Sequence, residues 1–230
     1  MIGTELLDDP QADPILVGRE LRDIARLNAL FGGTRAVLEA LEPFFQRSGK
    51  VQRATCVTWT LLDVGTGSGD IALAARVAAR RHGIELKPIG LDLNPTAAMI
   101  ASAAGVPTLV ADGNALPLTP RSVDVIVASQ VLHHLPRAVA VRWIAAFDRV
   151  ARRAVVLADL RRSRLAMVGV WAASIGLAMN GITRRDAVLS LRRGYTKGEF
   201  EEMLRQAGVR TAARYRRGAR IVAAWSPSTE

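Results

Sequence analysis

Cysteine, lysine and aromatic residues are scarce in this sequence, and long hydrophobic runs are absent. The single cysteine, Cys56, cannot form a disulfide within the chain, which favours a reducing compartment, and its place beside an apolar run predicts a small core residue. The apolar run 165–179 has 15 residues, fewer than the roughly 20 that a membrane-spanning helix needs. Glu5, Asp8 and Asp9 stand where a signal peptide would be basic. We therefore expect a cytoplasmic protein.

The low aromatic content and the uneven charge bear on possible partners. Aromatic residues make up 5% of the 230 residues, so few side chains are available for stacking bases, and we expect no nucleic-acid partner. The formal net charge is +10, and the excess lies in residues 151–230, which hold 16 basic and 6 acidic side chains. Such an excess can serve a nucleic acid, a membrane surface or an acidic substrate. The 28 arginines greatly outnumber the 3 lysines, which is typical of a genome-wide bias in amino-acid composition. We therefore interpret the basic excess as a solvent-exposed, arginine-rich face rather than as a binding surface.

What the sequence does contain is a glycine-rich turn at the end of an apolar run. Residues 59–72 read WTLLDVGTGSGDIA, in which the apolar run gives way to Gly65, Gly67 and Gly69 and then to a helical pattern from Asp70. Glycine lets the backbone adopt positive φ and approach a ligand closely, and the start of a helix offers unpaired N–H groups. This stretch predicts a binding site for a polar ligand.

The rest of the chain alternates between apolar runs of strand length and helical patterns of 10–15 residues. This alternation predicts an α/β, Rossmann-like, doubly wound sheet of seven strands with a parallel core. The last two strands are predicted to form a C-terminal antiparallel hairpin. The predicted strands cover residues 59–62, 86–91, 106–111, 123–128, 154–160, 209–215 and 220–225.

Two further segments are predicted to flank this core, which spans residues 55–230. Residues 1–54 read as an acidic tail over 1–13 followed by a cap of two helices, with Gly32–Gly33 between them. Residues 163–193 read as an apolar helical insertion after the fifth strand, which we predict to act as a lid.

Polar residues recur at the carboxyl ends of the predicted strands. Asp63, Asp92 and Asp112 end or follow the first three, and Ser129–Gln130 follows the fourth. Ligands of open parallel sheets bind at this edge. A dinucleotide site is one possibility, but its GxGxxG fingerprint is not met, because the run from Gly65 reads GTGSGD.

Four segments resemble the motifs of class I S-adenosylmethionine-dependent methyltransferases, especially the small-molecule branch that includes quinone-biosynthesis methylases. They are LLDVGTGSG (61–69), GLDLN (90–94), ADGNALPL (111–118) and VDVIVASQVLHHL (123–135). The resemblance implies that the glycine loop passes the methionine part of the cofactor, that one acid binds the ribose hydroxyls and that another meets the adenine amino group. The implied cofactor-binding residues are Asp63, Gly65, Thr66, Gly67, Gly69, Asp92 (ribose), Leu93, Asp112 (adenine), Gly113, Asn114, Ser129 and Gln130.

Two of these assignments have simpler alternatives. Asp63 could instead satisfy local groups of the glycine loop, since short polar side chains commonly bond nearby backbone. Asp112 could be a turn residue before Gly113.

Methyl transfer from a sulfonium is an in-line displacement, so the protein must align the acceptor and deprotonate it if it is weak. His133 and His134 follow the fourth predicted strand, and histidine is the side chain best suited to act as a base near neutral pH. We predict that one of them is the catalytic base or positions the acceptor. The alternative is that the pair begins the next helix and fills its cap.

The flanking segments are predicted to close the acceptor pocket. Arg22 and Asn28 in the cap and Trp171 in the insertion are the predicted substrate-binding residues, and no metal ligand is predicted. The apolar character of both segments predicts a small hydrophobic acceptor, with a phenolic or quinol hydroxyl as the preferred target. Methylation of a ring carbon would use the same parts.

Several alternatives stay open. The arginines that flank residues 163–193 could rest on an anionic membrane surface. The basic C-terminal region could serve an RNA or protein methyltransferase, although the Asn/Asp-Pro-Pro-aromatic run of base methylases is absent after the fourth strand. A protein that binds the cofactor without catalysis is the third alternative.

Overall fold

Seven strands form one mixed sheet with helices packed on both faces. The computed structural model describes residues 5–51, 57–113, 116, 118–177 and 179–227, without the side chains of 49–51, so Cys56 and Asn114 lie outside it. The helices are α1 (Pro14–Phe31), α2 (Gly33–Val51), α3 (Asp70–Arg80), α4 (Pro95–Ala103), α5 (Arg137–Val150), α6 (Arg164–Gly176), α7 (Gly181–Arg193) and α8 (Lys197–Gln206). The strands are β1 (Val57–Val64), β2 (Ile84–Asp92), β3 (Thr108–Val110), β4 (Val123–Ser129), β5 (Ala151–Leu160), β6 (Arg214–Arg216) and β7 (Arg220–Trp225).

The strand order is β3-β2-β1-β4-β5-β7-β6. Strands β1 to β5 pair in parallel, and β7 runs antiparallel to both β5 and β6. This confirms the predicted Rossmann-like doubly wound sheet with a C-terminal hairpin. The direction of winding reverses between β1 and β4, where open sheets of this kind have a crevice beyond the carboxyl ends of the strands.

The core lies on both faces of the sheet, which explains why its central strands are nearly all apolar. Strand β4 is buried along its whole length. On one face its Ile126 belongs to a cluster with Phe147 of α5 and Phe200 of α8. On the other face Val125 belongs to a cluster with Phe45 of α2. The alternation of neighbouring residues between two clusters fixes which way every residue at the end of the strand points.

Two strands are shorter than predicted. The third was predicted over 106–111, but Val106 donates its N–H to the end of α4 and Pro107 has no N–H to give. The sixth was predicted over 209–215, but Val209 donates its N–H to the end of α8 instead of to a neighbouring strand.

The prediction of a tail is wrong for residues 5–13. Leu6–Asp8 form a 3₁₀ turn, and Glu5 beside it is buried. The Leu6 N–H donates to the Asp186 carboxylate of α7 at 2.8 Å, and the Asn94 side-chain amide donates to the Asp9 carbonyl at 3.3 Å. A segment this short has no periodicity to reveal its packing, because the bonds that hold it come from residues far along the chain. Among the described residues no helix has the length and apolar character needed to cross a membrane.

Candidate active site

The glycine loop after β1 has a backbone conformation and a close packing that favour glycine over residues with side chains. Gly65, Gly67 and Gly69 have φ values of +69°, +56° and +76°, in the left-handed region that favours glycine. A Cβ on Gly65 would lie 2.2 Å from Val131 Cγ2, and one on Gly67 would lie 3.3 Å from Leu21 Cδ2. The loop therefore passes closely between the segment after β4 and the first cap helix.

Asp63 and Gly69 support this loop from behind and do not line the cavity it borders. The Thr66 hydroxyl donates to the Asp63 carboxylate at 2.9 Å, and burial raises the pKa of Asp63 to about 7. Gly69 precedes the first residue of α3. These contacts support a role in shaping the loop, as the simpler alternative for Asp63 allowed, and direct contact of the two residues with the cofactor stays a prediction.

Asp92 links the end of β2 to the glycine loop. Its Oδ2 accepts the Gly67 N–H and its Oδ1 accepts the Asn94 N–H, each at 2.9 Å. Burial raises the pKa of Asp92, against the lowering effect of these bonds. Asp112 follows β3 and is exposed at the cavity. A Cβ on Gly113 beside it would lie 2.4 Å from the Trp143 ring, so this turn is also closely packed.

A cavity of about 580 Å³ opens at this edge of the sheet. It is bounded by the glycine loop, the ends of β2 and β4, the turn after β3, and helices α1 and α7. The predicted cofactor residues that line it are Gly65, Thr66, Gly67, Asp92, Leu93, Asp112, Gly113, Ser129 and Gln130.

At one end of the cavity Asn28 joins α1 to β4 and β7. Its Oδ1 accepts a bond from Gln130 Nε2 at 2.6 Å and one from Arg220 Nη2 at 3.0 Å, and Arg220 Nη1 donates to Gln130 Oε1 at 2.8 Å. The Asn28 amide also bonds Asp70 at the start of α3, where burial raises the pKa of the carboxyl and this bond opposes the rise. Asn28 thus lines the cavity, and its contact with the substrate stays a prediction.

Arg220 is a buried cation with no carboxylate within ion-pair distance among the described residues. Its Nε has no hydrogen-bond partner there, and burial lowers the pKa of the guanidinium to about 10. Buried charges are normally paired, because an unpaired one costs several kcal/mol of desolvation. The side chain lines the cavity, so an anionic group bound there would meet it. Sequence reasoning missed Arg220, which begins a strand far from every recognised motif.

At another part of the wall His133 is paired with Asp159, the penultimate residue of β5. His133 Nδ1 lies 2.7 Å from Asp159 Oδ1, and both side chains are buried. Burial would raise the pKa of Asp159, but the His133 imidazole and the Leu160 N–H hold it below its ordinary value. An ionised carboxylate only accepts hydrogen bonds, so the proton lies on Nδ1. His133 Nε2 then carries a lone pair, is buried, and has no partner among the described residues.

His134 points to a different set of groups, although its ring lies 4.1 Å from that of His133 between centroids. Its Nδ1 lies 2.6 Å from Asp8 Oδ1. Arg193 Nη1 donates to Glu5 Oε1 and to Asp8 Oδ2, each at 3.0 Å. His134 therefore anchors the N-terminal segment to the cavity rim, whereas His133 is the predicted base candidate whose Nε2 has no partner among the described residues.

The same residues come close to a metal-ligand arrangement. Ligand atoms of Glu5, His133 and His134 all lie within 4.8 Å of one another. However, Glu5 already accepts bonds from Arg193 and from the Ser190 hydroxyl, the latter at 2.7 Å. A cation placed there would have to displace the guanidinium, so we assign the group to the ion-pair network of the N-terminal segment.

Two more buried carboxylates, Glu20 of α1 and Asp186 of α7, line the cavity. Glu20 Oε2 has no partner among the described residues, and burial, reinforced by Asp186, Glu5, Asp23 and Asp8, raises the pKa of Glu20 to about 8. These acids lie on separate segments of the chain, so sequence spacing could not bring them together.

The raised pKa of Glu20 predicts that the free energy of unfolding depends on pH. Between its ordinary value of 4.5 and about 8, the folded state keeps a proton that the unfolded state has lost, so stability decreases as pH rises through this window. Glu20→Gln removes this dependence, and we expect the variant to be more stable than wild type by of the order of 2 kcal/mol on the alkaline side. Urea unfolding on both sides of the window measures it. An unchanged difference between variant and wild type across the window would contradict the assignment.

Arg22 and Trp171 are not part of the cavity. Arg22 is exposed, because α1 turns the face with Glu20, Ile24 and Leu27 inward. Trp171 is half exposed and lines a separate depression, whereas its neighbour Val170 reaches the cavity. The positions of these two side chains do not support their predicted role in substrate binding, which stays untested.

Comparisons with known proteins agree on the kind of domain. Residues 62–158 match a family model described as a methyltransferase domain, and no curated protein matches the chain. The fold is similar to that of a SAM-dependent methyltransferase from Aquifex aeolicus, with a TM-score of 0.62, 18% identity, and coverage of 95% of this chain and 100% of that one.

Two further solved structures share the fold. Magnesium protoporphyrin IX methyltransferase from Synechocystis PCC 6803 with bound SAH gives a TM-score of 0.53 and 16% identity over 96% of this chain and 90% of that one. Human N-acetylserotonin methyltransferase in complex with SAM gives a TM-score of 0.59 and 14% identity over 93% of this chain and 57% of that one. Residues 62–158, which hold the glycine loop, Asp92 and Ser129, therefore match a methyltransferase domain, and the chain shares the fold of these three methyltransferases.

Proposed function

We propose that this enzyme methylates a hydroxyl group of a small hydrophobic acceptor and that His133 is the base that removes the proton. The observation that carries the proposal is the pairing of His133 Nδ1 with Asp159 at 2.7 Å, which leaves Nε2 free to accept a proton at the cavity wall. S-adenosylmethionine supplies the activated methyl group. The carboxylate keeps the imidazole in the useful tautomer and stabilises the imidazolium that forms when the hydroxyl loses its proton.

The walls of the cavity support an apolar acceptor. Side chains from the first cap helix, the segment after β4 and both helices of the insertion contribute apolar surface. They include Ile24, Leu27, Phe31, Val131, Leu135, Val170 and Leu191. A phenol or quinol fits this setting, because its ring is apolar and its hydroxyl becomes a good nucleophile once deprotonated. A ring carbon activated by the same deprotonation is the alternative target.

An RNA or protein acceptor is less well supported. Among the described residues that line the cavity, Arg193 and Arg220 are the only arginines, and Arg193 is already paired with Glu5 and Asp8. The cavity lining therefore offers few positive side chains for the phosphate backbone of a nucleic acid.

The most direct test of this proposal is methyl transfer from labelled S-adenosylmethionine to a panel of phenols and quinols with alkyl tails of different length. We expect transfer to several members, with affinity increasing with tail length. Transfer only to an amine, a peptide or an RNA would overturn the proposal. Cofactor binding without transfer to any acceptor would favour the non-catalytic alternative.

For the cofactor, we propose that Asp92 binds the ribose hydroxyls and that Arg220, Asn28 and Asp70 hold the amino-acid end. That end of S-adenosylmethionine carries an ammonium and a carboxylate. Asp70 offers a half-buried acid and Arg220 a buried cation with no carboxylate at ion-pair distance among the described residues, and the two are joined through the Asn28 amide. Opposite charges spaced by one side chain suit such a zwitterion.

This arrangement predicts that Arg220→Leu discriminates between two ligands. S-adenosylhomocysteine keeps the carboxylate and should bind about 10- to 100-fold more weakly, the loss expected for charge-assisted hydrogen bonds. Methylthioadenosine lacks the amino-acid end and should bind to variant and wild type alike, which also verifies that the variant is folded. Calorimetry with both ligands measures the difference. An equal loss for the two ligands would show that Arg220 acts only through the fold.

A further inference from the structure

The outward side of the insertion exposes an unusual amount of apolar surface. Leu165 is 87% exposed, Val168 66% and Trp171 50%, and Ile175 and Ile182 continue the patch. All belong to α6 or the start of α7, and α6 contains no charged residue after Arg164. Folded proteins rarely leave such a contiguous apolar patch uncovered unless it has a binding function.

Arginines surround this patch, and the single acid of residues 161–193 lies toward the cavity instead. Residues 161–193 contain seven arginines and one acid, Asp186, which is buried toward the cavity. Four of the arginines have other contacts. Arg162 pairs with Glu199, Arg161 stacks over Tyr215, Arg193 pairs with Glu5 and Asp8, and Arg184 donates to the Ser174 hydroxyl at 3.1 Å. Arg164, Arg184, Arg185 and Arg192 have no carboxylate within ion-pair distance among the described residues.

Three of these arginines meet the tryptophan in one depression. It has a volume of about 480 Å³ and is lined by Trp171, Gly181, Arg184, Arg185, Val188, Leu189 and Arg192. It is separate from the catalytic cavity, and among the residues described the two share no lining residue. Guanidinium groups recognise phosphate, and tryptophan favours the region where lipid headgroups meet acyl chains.

We propose that the outer face of α6 and α7 docks on an anionic lipid bilayer. The apolar side chains of α6 would enter the boundary of the acyl chains, and Arg184, Arg185 and Arg192 would bind lipid phosphates beside Trp171. The combination selects lipid over nucleic acid, because an RNA backbone offers nothing apolar to cover Leu165 and Val168.

The apolar patch lies on the same two helices that form part of the wall of the catalytic cavity. Val170 of α6 and Ser190 of α7 line the catalytic cavity from the inner side of the same helices whose outer side forms the patch. An oily acceptor dissolved in the bilayer would thus enter next to the docking face. This last step rests on the proposed function, whereas docking itself does not.

The test is flotation of the full chain with vesicles of phosphatidylcholine alone or mixed with phosphatidylglycerol, without cofactor or acceptor. We expect binding only to the anionic vesicles and a decrease with added salt. Trp171 is the exposed one of the four tryptophans, the others being buried, so its fluorescence should shift to the blue on binding and be quenched by brominated lipid.

Variants separate the two contributions. Changing Arg184, Arg185 and Arg192 together to glutamine should weaken binding about 100-fold, from about fivefold for each charge. Leu165→Ser should weaken it about tenfold through lost apolar burial. Matched controls are Met99→Ser on α4, which is 70% exposed, and Arg80→Gln on α3, and both should bind as wild type.

Three outcomes would overturn docking on an anionic bilayer. They are equal binding to both kinds of vesicle, equal losses in the controls, and binding of an RNA oligonucleotide through the same arginines with none to vesicles. Because no methyl transfer is measured, each of these outcomes leaves the proposed catalytic function untouched.

Discussion

The His133→Ala variant is expected to lose methyl transfer by about 100- to 10,000-fold, the contribution usual for a positioned general base. The imidazole is buried at the cavity wall. Because Nδ1 is paired with Asp159, the lone pair on Nε2 is available to accept a proton. Without it, a weakly acidic hydroxyl would attack in its protonated form, which is a poor nucleophile. Rates should be measured with saturating cofactor and the best acceptor of the phenol and quinol panel.

The chain supplies a matched control in the next residue. His134→Ala removes an imidazole of the same size from the same 3₁₀ turn, but its Nδ1 faces Asp8. We expect it to retain most of the rate and to raise the KM, because the N-terminal segment loses one of its anchors. Equal losses of rate in the two variants would show that the imidazoles support the structure of the 3₁₀ turn and that His133 does not act as the base.

Asp159 is a positioning residue, so its test needs a readout beyond rate alone. Asp159→Asn keeps the shape but removes the charge that holds the His133 proton on Nδ1. We expect the maximal rate to decrease and the acidic limb of the pH–rate profile to move to lower pH, because the protonated imidazole no longer has a carboxylate beside it. A reduced rate with an unchanged pH profile would indicate a purely structural role.

The Asp92→Ala variant should bind S-adenosylhomocysteine at least about 100-fold more weakly, since two charge-assisted bonds to ligand hydroxyls would be lost. The carboxylate also accepts the Gly67 N–H at 2.9 Å, so its removal releases the glycine loop. Asp92→Asn separates these effects, because an amide oxygen still accepts the loop N–H while the charge is gone. It should bind with intermediate affinity.

Asp112→Ala is the matched control for this experiment. It removes a carboxylate at the same edge of the sheet, but one that is exposed and screened by solvent. Its loss should be smaller, within about tenfold. Calorimetry gives both affinities, and an Asp92→Ala variant that binds as wild type would refute the ribose assignment.

The fold and the meeting of polar residues at one edge of the sheet were predictable because their signals are local. Most strands are apolar runs, most turns carry glycine or proline, and parallel strands bring their carboxyl ends to one edge. Hence Gly67 and Asp92, 25 residues apart, could be expected to meet, and they share a hydrogen bond.

The acceptor side and the proposed amino-acid end of the cofactor pocket were not predictable in the same way, because their contacts join distant segments. Arg220 meets Asn28 across 192 positions, and Glu5 meets Ser190 across 185. Choosing between His133 and His134 as the candidate base required their hydrogen-bond partners, which the sequence does not give. One signal was available: Asp159 stands at the carboxyl end of the fifth predicted strand, where an acid next to the site is a candidate partner for a histidine.

The measurement that tests the central claim most directly is the position of the transferred methyl group, determined by NMR on the product that the wild-type enzyme makes from isotope-labelled S-adenosylmethionine and an alkyl-substituted quinol. If His133 deprotonates a bound hydroxyl, the label appears as a methyl ether on oxygen, and His133→Ala yields almost none of it. A label on a ring carbon, or an ether formed equally fast by His133→Ala, would contradict the account.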